Sequence, residues 1–177
     1  MSVLDVIRIR RSVRKYRSDP IPDDVFDRLL EALRLAPSAC NNQPWRFIVV
    51  RDPAAREAVA HASRDQMFIA QAPVVIVGCG FPAKAYQRMG GYGNSVDIDL
   101  AIALDHLMLA AAEAGLGTCW IGAFDEQAVK QVLGVAEGAK VVALTPLGYP
   151  ATRDLIHPED DSRRKPLAEI IVRERFA

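Results

Sequence analysis

The chain has 177 residues, half of them apolar, with 22 basic side chains set against 22 acidic ones. That length and apolar content support a single domain over residues 1–177 with a sizeable core, and no proline- or serine-rich stretch divides it. The zero net charge removes the broad field expected for nucleic-acid or membrane-surface binding, so the local arginine clusters point to small anionic ligands instead.

Ser2 can cap a first helix whose Val3, Leu4, Val6 and Ile7 face a core. At its end and beyond stand Arg10, Arg11, Ser12 and Arg14, whose forked donors and hydroxyl suit a phosphate. A second helix starts at Asp23 or Asp24, carries Val25, Phe26, Leu29, Leu30 and Leu33 on one face, and is stopped by Pro37. The loop that follows, from Pro37 through Ser38, Asn41 and Gln43 to Pro44 and Trp45, adds hydroxyl, amide and aromatic groups beside a proline-fixed turn. Together the two polar segments suggest a site for a phosphorylated aromatic cofactor.

Arg46 to Val50 reads as a buried strand ended by Asp52 and Pro53, and Ala54 to Ala62 is helical in composition. The run Val74, Val75, Ile76, Val77 follows, then a long helix from Asp97 to Ala114 closed by Gly115. That helix has little polar face, which fits either central burial or a subunit interface. Thr118 to Ile121 is a short strand candidate, Asp125 caps a helix to Leu133 that Gly134 ends, and Val141 to Leu147 is a further strand. The fold class is α/β or α+β, and alternation alone favours a parallel, doubly wound sheet.

Several functions are disfavoured by what the pattern lacks. Asp5 and the early arginines interrupt any signal-peptide core, and the long helix carries Asp97, Asp99, Asp105, His106 and Glu113, so neither export nor membrane insertion is expected. Cys40, Cys79 and Cys119 are odd in number and far apart, which fits a reducing cytoplasm. His61, His106 and His157 are dispersed, so no metal is expected. Gly78, Gly80 and Ala83 superficially match the dinucleotide pattern G-x-G-x-x-A, but Pro82 and the glycines Gly90, Gly91 and Gly93 mark an irregular loop. The segment Phe81 to Asn94, with Tyr86 and Tyr92, reads equally as a cover for a planar ligand or as a surface excursion.

Four blocks in order resemble the FMN-dependent nitroreductase family. These are Arg10, Arg11, Ser12, Val13, Arg14; the Pro-Ser-x-x-Asn-x-Gln-Pro-Trp loop from Pro37 to Trp45; the glycine-rich stretch Gly115 to Phe124; and Arg163, Arg164, Lys165, Pro166, Leu167. The resemblance implies a mixed central sheet flanked by helices in an intertwined homodimer, with Ile170, Ile171 and Val172 in an extended C-terminal arm. It also implies that Arg10, Arg11, Ser12 and Arg14 contact the FMN phosphate, ribityl chain and pyrimidine edge, with Arg163 or, in first rank, Arg164 completing the phosphate clamp. Pro37, Ser38, Asn41 and Gln43 would reach the flavin of the other subunit. Ile121 and Gly122 match the position that offers a backbone N–H to flavin N5, with Arg14 near N1. Trp45 reads as a packing residue, and Cys40 has no activating base nearby.

The activity so implied is an FMN-dependent oxidoreductase, with NADH or NADPH as donor and ping-pong hydride transfer through flavin N5 to nitroaromatic, quinone or related planar acceptors. No catalytic side chain is expected, because the flavin carries the chemistry. The alternatives are a flavin-binding or flavin-handling protein with little turnover, or a dehalogenating, ene-reducing or flavin-fragmenting enzyme of the same fold.

Overall fold

The computed structural model describes residues 1–152 and 164–176. Four strands, β1 (Trp45–Val50), β2 (Val74–Gly80), β3 (Gly117–Thr118) and β4 (Lys140–Gly148), form one sheet in the order β1-β2-β4-β3. All three ladders are antiparallel. A parallel pairing enters at the β3 edge, where Ser12 bridges Thr118. The sheet therefore follows the resemblance and not the parallel arrangement that alternation favours. The misleading signal has a physical source: β2 is buried along its whole length because helices cover both faces, so it reads as a continuous apolar run.

The helices are α1 (Val3–Ile9), α2 (Asp23–Arg34), α3 (Pro53–Ala62), α4 (Phe68–Gln71), α5 (Val96–Glu113), α6 (Glu126–Leu133) and α7 (Leu167–Ile170). Ser2 and Asp5 form a reciprocal capping box on α1, while Asp52 and Asp125 accept the Ala55 and Ala128 N–H groups at the starts of α3 and α6. For α2, Pro22 is the cap, and Asp23 and Asp24 sit in the first turn, where negative charge is favourable.

Side-chain alternation along β2 divides the core in two. Val74 and Ile76 face α2 and α5, packing with Phe26, Leu29, Leu104 and Leu107. Val75, Val77 and Cys79 face the other way, packing with Val59 of α3, Ile69 of α4 and Val129 of α6. Each fully buried leucine or isoleucine here contributes roughly 1.5–3 kcal/mol of transfer free energy. The register shifts between Gly78 and Cys79, leaving Val142 as an extra residue on β4. In consequence both Val142 and Ala143 pack on the α5 side.

The glycines of the dinucleotide-like pattern lie inside β2 and serve packing. A Cβ on Gly80 would come within 2.4 Å of Val96 and 2.5 Å of Leu100, so the absence of a side chain lets α5 lie close on the sheet.

One expectation is corrected. Of the α1 residues expected to face a core only Val6 is buried, and Val3, Leu4 and Ile7 are exposed. Val3 and Val6 line a groove of about 380 Å³ with Leu35, His106, Leu109 and Ala110, among others. Of the two readings open for α5, complete burial does not hold within this chain. Val96, Leu100, Leu104, Leu107 and Ala111 are buried, while Ala101, Ile102, Leu109 and Ala110 are only partly covered and Ile98 is exposed. The C-terminal Leu167, Ile170, Ile171 and Val172 are exposed as well. Among the described residues no helix is long and apolar enough to cross a membrane.

Candidate functional site

The arginine segment leaves α1 at Arg10, whose extended backbone (φ −58, ψ 133) turns the chain onto the sheet edge. There Val13 N–H donates to the Thr118 carbonyl at 2.8 Å, and Ser12 bridges Thr118. Tyr16 fixes the other end, donating its hydroxyl to the Val13 carbonyl at 2.6 Å and bridging Pro150. Burial holds the Tyr16 phenol well above its ordinary range, so it stays a neutral donor. Gly117 makes this docking possible, since a Cβ there would come within 2.7–2.9 Å of three Val13 atoms.

Beyond β3 the chain is pinned by Cys119 N–H to Thr145 Oγ1 at 3.1 Å and by a two-way pairing of Ile121 with Leu144. Ile121 is buried, and Gly122 next to it is exposed, its N–H without an acceptor among the described residues. Cys119 reports how close the arginines stand. Its burial pushes the thiol up, against the lowering influences of Arg14, Ser12 and Arg10. Arg10, Ser12, Arg14, Ile121 and Gly122 are therefore brought together along one sheet edge. The guanidinium groups of Arg10 and Arg14 have no hydrogen-bond or ion-pair partner among the described residues. Arg11 differs, because its Nη1 turns back on α1 to the carbonyls of Arg8 at 2.5 Å and Arg10 at 3.0 Å.

The Pro37–Trp45 loop is a tight 3-10 turn at Ala39–Asn41 with an unusual backbone. Cys40, Asn41 and Gln43 have φ of 53, 54 and 46, the left-handed region that costs a non-glycine residue energy unless its surroundings impose it. Local bonds hold it: Ser38 Oγ accepts the Gln43 N–H at 2.9 Å, and Gln43 Nε2 donates to the Asn41 carbonyl and side chain, both at 3.2 Å. Pro37, Asn41 and Gln43 are exposed, Ser38 is half-buried, and Trp45 packs beside Phe47 with ring centroids 6.1 Å apart. The segment after β2 abuts this loop through Phe81 N–H to the Pro44 carbonyl at 2.8 Å.

Within one chain the loop and the arginine segment do not meet. The loop is fastened to α5 near its start, through Ala39 N–H to Asp99 Oδ1 at 3.0 Å. Arg10 and Arg11 lie against its end, lining a small cleft with Ala112 and Leu116. Residues 99 and 112 of one α-helix are separated by about 20 Å at ~1.5 Å per residue. Of the C-terminal pair, Arg164 is exposed without a polar partner among the described residues, and Arg163 lies outside them.

Residues missed by sequence reasoning as site components are Asp99, Ser95, Thr118 and Tyr16. Asp99 carried a usable signal, since position 99 falls in the buried 3–4 stripe of α5 beside Leu100 and Ala103. Among the described residues no group of His, Cys, Asp and Glu could hold a metal ion. The chemistry on offer at this edge is cationic and backbone N–H donation to an anionic or electron-accepting ligand.

The Nitroreductase family model matches residues 7–87 and 65–149. A protein named NADH dehydrogenase from Thermus thermophilus is 33% identical over 192 residues, covering 92% of this chain and 91% of the relative. A 5,6-dimethylbenzimidazole synthase from Rhodospirillum rubrum is 30% identical over 167 residues, covering 80% and 78%. Among solved structures, a nitroreductase family protein from Clostridium difficile 630 aligns at a TM-score of 0.88 and 27% identity, over 99% of this chain and 100% of the other.

Proposed function

The chain belongs to the nitroreductase family, and on that premise we propose that it is an FMN-dependent NAD(P)H oxidoreductase acting on nitroaromatic, quinone or related planar acceptors. One observation carries the reading. The Ser12–Thr118 bridge brings Arg10 and Arg14, whose guanidinium groups have no partner among the described residues, to the same sheet edge as the exposed Gly122, whose N–H has no acceptor among them. That donor set fits a phosphorylated flavin: cations for a phosphate, a backbone N–H for a ring nitrogen, and no competing ligand chemistry.

Bound FMN supplies hydride acceptance and donation at N5. Arg10, with Ser12 and Arg164, would hold the phosphate and ribityl hydroxyls; Arg14 would set positive charge near N1; Gly122 N–H would orient N5. Arg163 stays a candidate for the same clamp. The loop of Pro37, Ser38, Asn41 and Gln43 is fastened at Asp99, about 20 Å along α5 from Ala112 and the cleft that Arg10 and Arg11 line, so these residues would complete the site of a second copy. The uncovered apolar face of α5 and the exposed C-terminal Ile170, Ile171 and Val172 support a homodimer built on these surfaces. Donor and acceptor occupying the flavin site in turn would give ping-pong kinetics, and we place the protein in the cytoplasm.

The test is an absorbance spectrum of the purified protein, with FMN added if none is retained, then anaerobic NADH and NADPH. A flavin band that bleaches and returns with a nitroaromatic or quinone supports the proposal. Failure to bind FMN overturns it, and a bound flavin that neither nucleotide reduces returns the reading to a flavin-handling role. The likeness to the Rhodospirillum synthase favours a second reading in which the reduced flavin is oxidatively fragmented to a benzimidazole, which mass spectrometry detects once dioxygen is admitted as the oxidant.

A further inference from the structure

Asp99 is a carboxylate only 2% exposed inside an apolar helix face, and the proposed flavin contacts do not include it. Its two oxygens reach two different loops. Oδ1 accepts the Ala39 N–H at 3.0 Å, and Oδ2 accepts the Ser95 hydroxyl at 2.7 Å. Ser95, itself fully buried, passes the connection on: its Oγ accepts the Tyr86 N–H at 3.1 Å and its own N–H donates to the Tyr86 carbonyl at 2.9 Å. A third link, Phe81 N–H to the Pro44 carbonyl, closes a ring in which the Pro37–Trp45 and Phe81–Ser95 segments are held to one another and to the first turn of α5.

We propose that Asp99 is a positioning residue for the cofactor and acceptor pocket, holding the Pro37–Trp45 loop directly and the Phe81–Ser95 loop through Ser95. Burying a carboxylate costs several kcal/mol unless hydrogen bonds compensate, so a short polar acceptor at this place is retained against the apolar pattern of its neighbours. The compensation arrives from the two loops and not from α5, whose own first-turn N–H groups go elsewhere, Asp99 N–H to the Ser95 carbonyl and Val96 N–H to Asn94 Oδ1. The tie acts where the backbone most needs it. Ala39 opens the 3-10 turn, and Cys40, Asn41 and Gln43 directly after it all occupy the left-handed region. A charged acceptor fixed on a rigid helix over-determines that conformation, as local strain of this kind requires. Because both loops depend on one carboxylate, the Pro37–Trp45 loop and the Phe81–Ser95 segment are set in a common register. A ligand that moves one loop must work against the other.

The inference rests on the FMN reading for its functional half, and the experiment separates the two. Asp99→Ala, Asp99→Asn and Ser95→Ala are compared with wild type by amide hydrogen exchange on the FMN-free protein, by FMN titration, and by acceptor KM and kcat on the FMN-loaded protein. Asp99→Ala should raise exchange at Ala39, Asn41, Gln43 and Tyr86 at least tenfold, leave the β2 amides unchanged, and weaken FMN binding about tenfold. Ser95→Ala should raise exchange at Tyr86 while Ala39 stays protected, and should raise acceptor KM more than it lowers kcat. Asp99→Asn keeps an acceptor oxygen for Ala39 and should restore FMN affinity to within about threefold of wild type. Equal exchange at Ala39 in wild type and Asp99→Ala overturns the proposal, as does a rise spread evenly over β2, which marks general destabilisation. Should Asp99→Ala not fold, Asp99→Leu, which fills the same buried space and likewise removes the acceptor, is read on the same criteria. A wild type that takes up no FMN defeats the flavin reading alone, since the exchange comparison still settles the clamp.

Discussion

Gly117→Ala tests the link between the packing of the sheet edge and the site on it. The new Cβ would stand 2.7 Å from Val13 Cγ2, 2.8 Å from its Cβ and 2.9 Å from its Cγ1. Rotating χ1 moves the two methyls but not the Cβ, so the Val13 backbone itself has to retreat. Val13 is 3% exposed and its N–H is bonded to the Thr118 carbonyl, so retreat strains that bond together with the adjoining Ser12 bridge. Overpacking of this kind costs about 1–3 kcal/mol. At 2–4 °C per kcal/mol for a chain of this size, a 2 kcal/mol loss lowers Tm by roughly 4–8 °C. FMN affinity should fall too, by about tenfold, because Arg10 and Ser12 flank the displaced residue. The assay is thermal unfolding of the FMN-free protein together with a flavin-fluorescence titration. Gly122→Ala is the control, its nearest neighbour being Trp120 Nε1 at an ordinary 3.6 Å. It should keep the wild-type Tm. Val13→Ala combined with Gly117→Ala should recover only part of the loss, since the 2.8 Å Cβ contact persists. A Gly117→Ala protein that melts within 1 °C of wild type and binds FMN equally would refute the argument.

Arg10→Ala and Arg164→Ala should each weaken FMN binding by about 10- to 100-fold, the equivalent of a charge-assisted hydrogen bond of about 1.5–3 kcal/mol, while subunit mass by light scattering stays unchanged; unchanged Kd in both removes the phosphate role. Burial raises the Cys79 thiol to about 11 and also raises Cys119, so iodoacetamide at neutral pH should modify no thiol except the exposed Cys40 in the native protein and all three in urea, by mass spectrometry. Early labelling of Cys119 would contradict that. For Glu126, burial pushes the carboxyl up, but the Lys130 ammonium at 2.9 Å and the Val141 N–H at 3.0 Å outweigh it and hold it below the usual glutamate range. A lowered folded value means stability present above the ordinary 4.5 and lost as pH falls through the folded value. The advantage of wild type over Glu126→Gln in urea unfolding should therefore be full at pH 7 and shrink below pH 4.5, staying under about 1 kcal/mol because the side chain is 36% exposed. An advantage that grows on acidification would contradict the assignment.

What could be read from the chain divides by the range of the interaction involved. Caps and apolar stripes are local, so Ser2 and Asp125 mark helix starts directly and α2, α5 and α6 fall within a residue or two of expectation at their starts, whereas Asp52, read as a turn at the end of a strand, is also the cap of α3. Strand direction is not local. The buried run of β2 looks the same whether its neighbours are parallel or antiparallel, and only its pairing with Trp45–Val50 and Lys140–Gly148 decides. α4 was missed because Phe68–Gln71 is too short to show a helical period, and β3 shrank to Gly117–Thr118 because Ile121 pairs with Leu144 only as a single bridge.

The site shows the same division, and it shows where the motifs misdirect. Arg10, Arg11, Ser12 and Arg14 are one block in sequence, yet the fold treats them differently: Arg11 returns to the α1 carbonyls, while the guanidinium groups of Arg10 and Arg14 have no partner among the described residues. The Pro37–Trp45 block resembles a ligand loop by its side chains, but its distinctive property is a left-handed backbone at three non-glycine residues, which no residue-type pattern states. The reason that conformation is tolerated lies at residue 99, about 60 positions downstream. Asp99 does leave a trace, because it interrupts the apolar phase of α5 at a position that should be buried. A charged residue in a buried phase calls for a partner, and no count of neighbours along the helix supplies the Ala39 N–H. Only the α5 geometry also reveals that the Pro37–Trp45 loop and the Arg10–Arg11 segment sit near opposite ends of one helix. That separation, and not any motif, supports the proposal that a second copy of the chain completes the pocket.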